Sequence, residues 1–356
     1  MRRLRARRTL APRPQPNAAM TFVVVGAGAI GCYFGARLAA AGERVVFAGR
    51  RATLEPLERA GLTVSDLSGF EAHVAPERFT CVESAREAAE LTAGEDPIVL
   101  LAVKGPATIT AAQEIADAFG AGICIVSLQN GVDNVERIRG VTPGADVIAG
   151  MVPFNVVWLG DAHVRRATGG GVIYLADTPK TRALTDAFAR AGVPVRLEAD
   201  MLPVQWGKLL VNLNNPVNAL SGLSLRDELA DRNYRRAWAR LITEGLAVLH
   251  AAGIEPAKVL AIPLATLVRL LPLPNVLFRI LARRMATIDP KASSSMADDL
   301  RRGRPTEIDD LCGAIVRLGT RVGVPAPANA RTIELIHSYS GTPVSGPALL
   351  RQLRRA

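Results

Sequence analysis

Cysteine and histidine are scarce in this chain, four of each in 356 residues. Cys32, Cys81, Cys124 and Cys312 show no paired spacing, and the histidines do not cluster, so neither a metal site nor a disulfide framework is expected. Unpaired thiols suit a reducing cytoplasm. Aromatic residues make up only 4% of the chain, too few for a surface on which nucleic-acid bases stack. Long uninterrupted apolar runs are also missing. The richest stretch, 259–280, is broken by Pro263, Arg269, Pro272, Pro274 and Arg279, so it reads as two short amphipathic helices and not as a membrane span. Residues 1–19 lack any acid and any apolar signal core. They carry Arg2, Arg3, Arg5, Arg7, Arg8 and Arg13 among prolines, and disorder is expected there. An organelle-targeting leader and an upstream start ahead of Met20 are the two readings of this segment. Its six arginines supply six of the net charge of +10, leaving +4 on the rest. That remainder suits an enzyme with anionic ligands, and no nucleic-acid partner is expected.

What is present is a chain with 49% hydrophobic and 21% charged residues, long enough for two domains. After Met20 comes a β-branched run, Thr21–Val25, then a glycine turn, a helix of small residues over 29–41 and a second strand at Arg44–Ala48. Further apolar runs at 97–103, 123–128 and Asp146–Met151 alternate with helical stretches, the pattern of a parallel sheet covered on both faces. Runs at 172–175 and 193–197 extend it. Beyond residue 200 helical periodicity dominates, over 204–220, 226–252, 290–301 and 306–322. The expected organisation is an α/β fold: a Rossmann-type, doubly wound parallel sheet over 20–200, an all-helical domain over 201–340 and a basic tail over 341–356.

Gly26-Ala27-Gly28-Ala29-Ile30-Gly31 has the form G-x-G-x-x-G between a strand and a helix, the context in which that motif binds a dinucleotide. The first glycine makes the turn, the second lets the backbone approach a pyrophosphate, and the third lets helix and sheet pack closely. The helix N-terminus adds a positive potential. At the end of the second strand an NAD enzyme usually places an acid against the ribose 2′-hydroxyl. This chain has Gly49-Arg50-Arg51, which suits the 2′-phosphate of NADPH/NADP+.

In the second half, Lys208, Asn212 and Asn215 stand at i, i+4 and i+7, on one helix face. Asparagines in an apolar helix indicate a polar cleft or a frayed end at Pro216. Further on come Ser293-Ser294-Ser295-Met296 and Arg304-Pro305-Thr306-Glu307-Ile308-Asp309, where Thr306 and Asp309 read as helix caps and Glu307 as a first-turn acid. Together with Gln129-Asn130-Gly131 and the glycine turn, these motifs resemble the ketopantoate reductase (2-dehydropantoate 2-reductase) family. The resemblance runs from Met20 to about Ser340.

The resemblance implies roles. Lys208 matches the family's general acid, and Glu307 the carboxylate that contacts substrate and cofactor. Asn130 matches an asparagine near the nicotinamide ribose and the substrate, Asn212 and Asn215 substrate-binding amides, Ser295 a substrate-holding hydroxyl, and Lys104 a lysine near the cofactor. The implied reaction is NADPH-dependent reduction of a 2-oxo acid, ketopantoate to pantoate, in pantothenate biosynthesis. Two departures stand out. Some members have one more residue between the helix asparagines, so Asn214 competes with Asn215. Some also use a later asparagine where this chain reads Leu223-Ser224-Leu225. The competing readings are a reductase of another 2-oxo acid and an NADPH sensor without turnover. Segment 259–280 reads as a cleft cover or as a subunit contact, the latter making a homodimer through the helical domain.

Overall fold

The computed structural model describes residues 19–160, 162–168, 171–282 and 292–355. The expected disorder of 1–19 falls almost wholly outside them. The strands are β1 (Thr21–Val25), β2 (Arg44–Ala48), β3 (Leu62–Ser65), β4 (Glu71–Val74), β5 (Thr80–Val82), β6 (Ile98–Leu101), β7 (Cys124–Ser127), β8 (Asp146–Met151), β9 (Val156–Trp158), β10 (His163–Arg166), β11 (Ile173–Ala176) and β12 (Val195–Glu198). Between them lie α1 (Ala29–Ala40), α2 (Arg51–Ala60), α3 (Ala85–Leu91), α4 (Thr108–Phe119), α5 (Asn134–Val141) and α6 (Pro179–Arg190).

β1, β6 and β7 are buried along their whole length, as continuous Val/Ile/Leu runs require when both sheet faces are covered. They form the middle of an 8-stranded sheet of order β12-β11-β8-β7-β6-β1-β2-β5. From β5 to β8 every pairing is parallel. The chain's direction of winding reverses between β1 and β6, and in such sheets ligands bind at that crevice, beyond the strands' carboxyl ends.

The sheet is not parallel throughout, which corrects the sequence expectation: β11 runs antiparallel to β8. A parallel return needs a crossover, usually a helix. Between β8 and β11 the chain instead makes the antiparallel pair β9–β10, and so re-enters the sheet from the opposite end. These two strands join β3 and β4 in a second, 4-stranded sheet that the sequence reading did not foresee. Helix α1 packs against both sheets, and Gly31 to Ala39 are all buried in it. This accounts for its small, apolar composition on every side.

The second half is helical: α7 (Leu202–Asn212), α8 (Asn214–Ser221), α9 (Leu225–Ala230), α10 (Arg232–Ala251), α11 (Leu264–Leu270), α12 (Asn275–Ala282), α13 (Ser295–Arg301), α14 (Ile308–Val322), α15 (Pro327–His337) and α16 (Gly346–Arg355). The stretch expected as one helix over 204–220 is two, parted at Leu213. Pro216 has no N–H and its ring crowds the carbonyl four residues back, that of Asn212, so the ladder is interrupted there. The broken segment 259–280 does form two short helices, α11 and α12. Residues 341–356, expected only as a basic tail, supply α16, whose Leu349 and Leu353 are fully buried against the helical core.

Candidate active site

The glycine turn sits at the switch point. Gly26 has φ +102°, and a Cβ there would press on the Val103 backbone nitrogen at 2.8 Å. At Gly31 a Cβ would overlap the carbonyl of Gly26. The protein's own packing therefore demands both glycines. Gly28 is different: its φ is −80°, and a Cβ would have no atom within 4 Å. No described residue requires glycine at that place, so the start of α1 is left open to approach. No side chain caps that helix end. Arg50 is exposed at the N-terminus of α2, and Arg51 pairs with Glu58 at 2.8 Å on the surface.

Across the seam between the two halves the other candidates meet. Glu307 ends the turn before α14, and its carboxylate does not cap its own helix. Instead it accepts hydrogen bonds from Asn130 Nδ2 at 3.2 Å and from the Gly105 backbone N–H at 3.4 Å. Asn130 in turn accepts at Oδ1 from Asn212 Nδ2 at 3.3 Å. One connected network thus joins the carboxyl ends of β6 and β7 to α7 and α14. Lys208 lies one turn before Asn212 on α7, on the same face. It keeps some surface, yet protein encloses its ammonium enough that burial pushes its pKa down to about 8. Burial also raises Glu307 above the usual carboxylate range, with the hydrogen bonds of Asn130 and Gly105 acting the other way.

Asn130 is held from behind. Its carbonyl accepts from Asn134 Nδ2 at 2.6 Å, Asn134 accepts from the Thr108 hydroxyl, and Gln129 donates to the Val103 carbonyl and to Thr108. Lys104 ion-pairs with Asp299 of α13, a second link across the seam. Ser295 is exposed as the first residue of α13, while Ser294 caps that helix and donates to the carbonyl of Asn215. Asn214 is turned away from the cleft: it and Asn218 both donate to the buried Glu228. Asn215 is half-buried. Sequence reasoning missed Thr108, Asn134, Glu228 and Asp299. Each is a common polar residue, and only its partner across the fold gives it a role.

The model of the family described as "Ketopantoate reductase PanE/ApbA" matches residues 22–180, and that of its C-terminal domain, "Ketopantoate reductase PanE/ApbA C terminal", matches residues 200–340. A 2-dehydropantoate 2-reductase of Mesorhizobium japonicum is 28% identical over 343 residues, covering 89% of this chain and 97% of that protein. The crystal structure of a PanE/ApbA family ketopantoate reductase from Ralstonia eutropha superposes with a TM-score of 0.74 at 29% identity, covering 94% of this chain and 100% of the other. D-mandelate dehydrogenase, solved with NADH and anilino(oxo)acetate, shares the fold with a TM-score of 0.71 at 20% identity, over 94% of this chain and 100% of its own. No described helix is long and apolar enough to cross a membrane. The chain belongs to the ketopantoate reductase family and is an oxidoreductase acting on a CH–OH group.

Proposed function

We propose that the protein reduces ketopantoate to pantoate with NADPH, a cytoplasmic step of pantothenate and coenzyme A biosynthesis. The observation that carries this reading is the network Asn212–Asn130–Glu307–Gly105, with Lys208 one turn along α7 and the glycine turn at the adjacent strand end. The residues present fit a dinucleotide: Gly28 opens the approach to α1, and the end of β2 offers arginines where an NAD site has an acid. Arg50 is the better partner for a 2′-phosphate, because Arg51 already has Glu58. That exposed pair is weak, so Arg51 is readily recruited as well. Lys104 stands beside the same crevice.

Bound NADPH supplies the hydride that reduces the keto carbon. Every other part belongs to the chain. Below about pH 8 Lys208 is an ammonium; it stabilises the developing alkoxide and gives up a proton from Nζ to the carbonyl oxygen. Asn130 and Asn212 fix each other's amides, so their outward donors and acceptors are set before substrate arrives. Glu307 accepts from Asn130 and Gly105 and offers its remaining lone pairs to substrate and cofactor. Asn215 and Ser295 complete the substrate side.

Incubation with ketopantoate and NADPH, with the product identified by mass spectrometry, tests this directly. Pantoate formed at the rate of NADPH loss is the expected result, and tight NADPH binding without product overturns it. A second reading, reduction of another 2-oxo acid, has one specific support. The later asparagine of some relatives is replaced by Leu223-Ser224-Leu225, and Asn214 and Asn218 serve Glu228 instead of the cleft. Those two asparagines are therefore taken up by Glu228 and not by the distal part of a substrate. We also read the exposed Val276, Leu277 and Ile280 of α12 as the contact of a homodimer.

A further inference from the structure

Glu307 and Asn130 come from different halves of the chain, and their 3.2 Å hydrogen bond alone does not hold those halves in register. A second feature sits directly behind it. Asp310, one turn into α14 from Glu307, is buried, and its Oδ1 accepts from Arg137 of α5 at 2.6 Å. Its other carboxylate oxygen lies against Gly105, so closely that a Cβ at that glycine would overlap it. The backbone carbonyl and Cβ of Asp310 also pack on Gly131, at 3.5 and 3.6 Å from where a Cβ there would lie. Gly105 and Gly131 directly follow Lys104 and Asn130. Asp310 is thus wedged between the two strand-end turns that carry the site. Arg137 also reaches Asp133 at 3.7 Å, and Asp133 accepts from Arg317 of α14 at 2.6 Å. Two helices, α5 and α14, are stitched together by alternating charges on the far side of the Asn130–Glu307 bond.

We propose that the Arg137–Asp310 pair, seated on Gly105 and Gly131, is a clasp that positions Glu307 against Asn130 and the Gly105 N–H, and that Asp310 is a positioning residue for the reaction. This rests on the functional reading given above. Neither residue touches the reacting atoms. Their effect passes through Glu307, because a displacement of about 1 Å in a catalytic constellation costs on the order of 10²-fold in rate. The absence of a side chain at residue 105 follows from the clasp: with Arg137 holding the carboxylate, Asp310 cannot swing aside to admit a Cβ. An electrostatic effect accompanies the mechanical one. The charged groups facing Glu307 are Asp310, which raises its pKa in the same direction as burial, and Lys104, which lowers it. Glu307 accepts from two donors, so its ionised form is the one the network uses. Removing the charge at Asp310 therefore moves the acid limb of the pH profile to lower pH.

The test compares wild type with Arg137→Ala, Arg137→Lys, Asp310→Ala, Asp310→Asn, Gly105→Ala and the double variant Gly105→Ala/Asp310→Ala. The readouts are kcat and KM for ketopantoate, their pH profiles, NADPH affinity from nucleotide fluorescence, and melting temperature. The clasp predicts a loss of about 10- to 100-fold in kcat/KM for Arg137→Ala and Asp310→Ala, larger than any change in melting temperature explains. Arg137→Lys recovers most of it. Asp310→Asn keeps the wedge and loses little rate, but its acid limb moves down in pH. Gly105→Ala is harmful in the wild-type background and nearly neutral once Asp310 is alanine. Activities within twofold of wild type, with an unmoved acid limb and additive Gly105 and Asp310 effects, overturn the clasp. If wild type does not turn over ketopantoate, the functional reading fails instead. NADPH affinity then decides the clasp: it survives if Arg137→Ala weakens binding and falls if affinity is unchanged. Wild type that neither binds NADPH nor turns over overturns both.

Discussion

At the residue scale, the proposed chemistry turns on how the fold treats one lysine. An exposed lysine with its ordinary pKa is a poor proton donor near neutrality; a partly enclosed one is better matched. With the pKa of Lys208 lowered to about 8, the ammonium is present at pH 7 and lost as pH rises through 8. The expected kcat/KM profile therefore has a basic limb near pH 8. Lys208→Ala removes that limb and lowers kcat by about 10²- to 10⁴-fold with substrate still bound, which steady-state kinetics across pH will show. Sequence spacing had already put Lys208 and Asn212 on one face. The choice between Asn214 and Asn215 was not legible in the same way, because it depends on Glu228. That carboxyl comes from a later helix and claims Asn214.

At the element scale, the glycine turn separates structural from functional demands. Gly28→Val adds a side chain where the protein has room, so the melting temperature should hold while NADPH affinity, read by fluorescence titration, falls at least about tenfold. A lowered melting temperature together with normal affinity would assign Gly28 to packing. Helices α8 and α9 are linked by a buried acid. Glu228 is fully buried, its pKa raised to about 8 by desolvation, and its Oε1 and the Oδ1 of Asn214 are buried acceptors with no partner among the described residues. A carboxyl with a raised folded-state pKa stabilises fully below its unfolded value of 4.5, and that contribution is lost as pH rises to about 8. Glu228→Gln stays neutral, so its melting temperature relative to wild type should climb between those pH values. A pH-independent difference would contradict the assignment. The β1–α1–β2 unit and the buried central strands were readable from sequence because their local pattern is unambiguous. The second sheet was not. β4 and β10 are short, half-buried and rich in charge or histidine, and β10 pairs with β3 a hundred residues earlier, Thr63 opposite His163. α16 was hidden by arginines such as Arg351 and Arg354, which are exposed while Leu349 and Leu353 are buried.

At the scale of the whole molecule, the proposed site lies in the seam. Lys104–Asp299, Asn130–Glu307, Asn130–Asn212 and Arg137–Asp310 each join the sheet half to the helical half. None of these pairings is readable in either half alone. The motif residues were found by their resemblance to a family, and the contacts between them required the fold. The exposed apolar side of α12 carries the molecule's expected self-association. Ile280→Glu should shift sedimentation from dimer to monomer without loss of the α/β core, and an unchanged sedimentation coefficient would place the contact elsewhere. The most direct test of the central claim is the initial rate of nucleotide oxidation by the purified protein. It should be measured with ketopantoate beside a panel of other 2-oxo acids, using NADPH and then NADH. The expected result is a kcat/KM that is highest for ketopantoate with NADPH. A higher value for another 2-oxo acid, or for NADH, would contradict it.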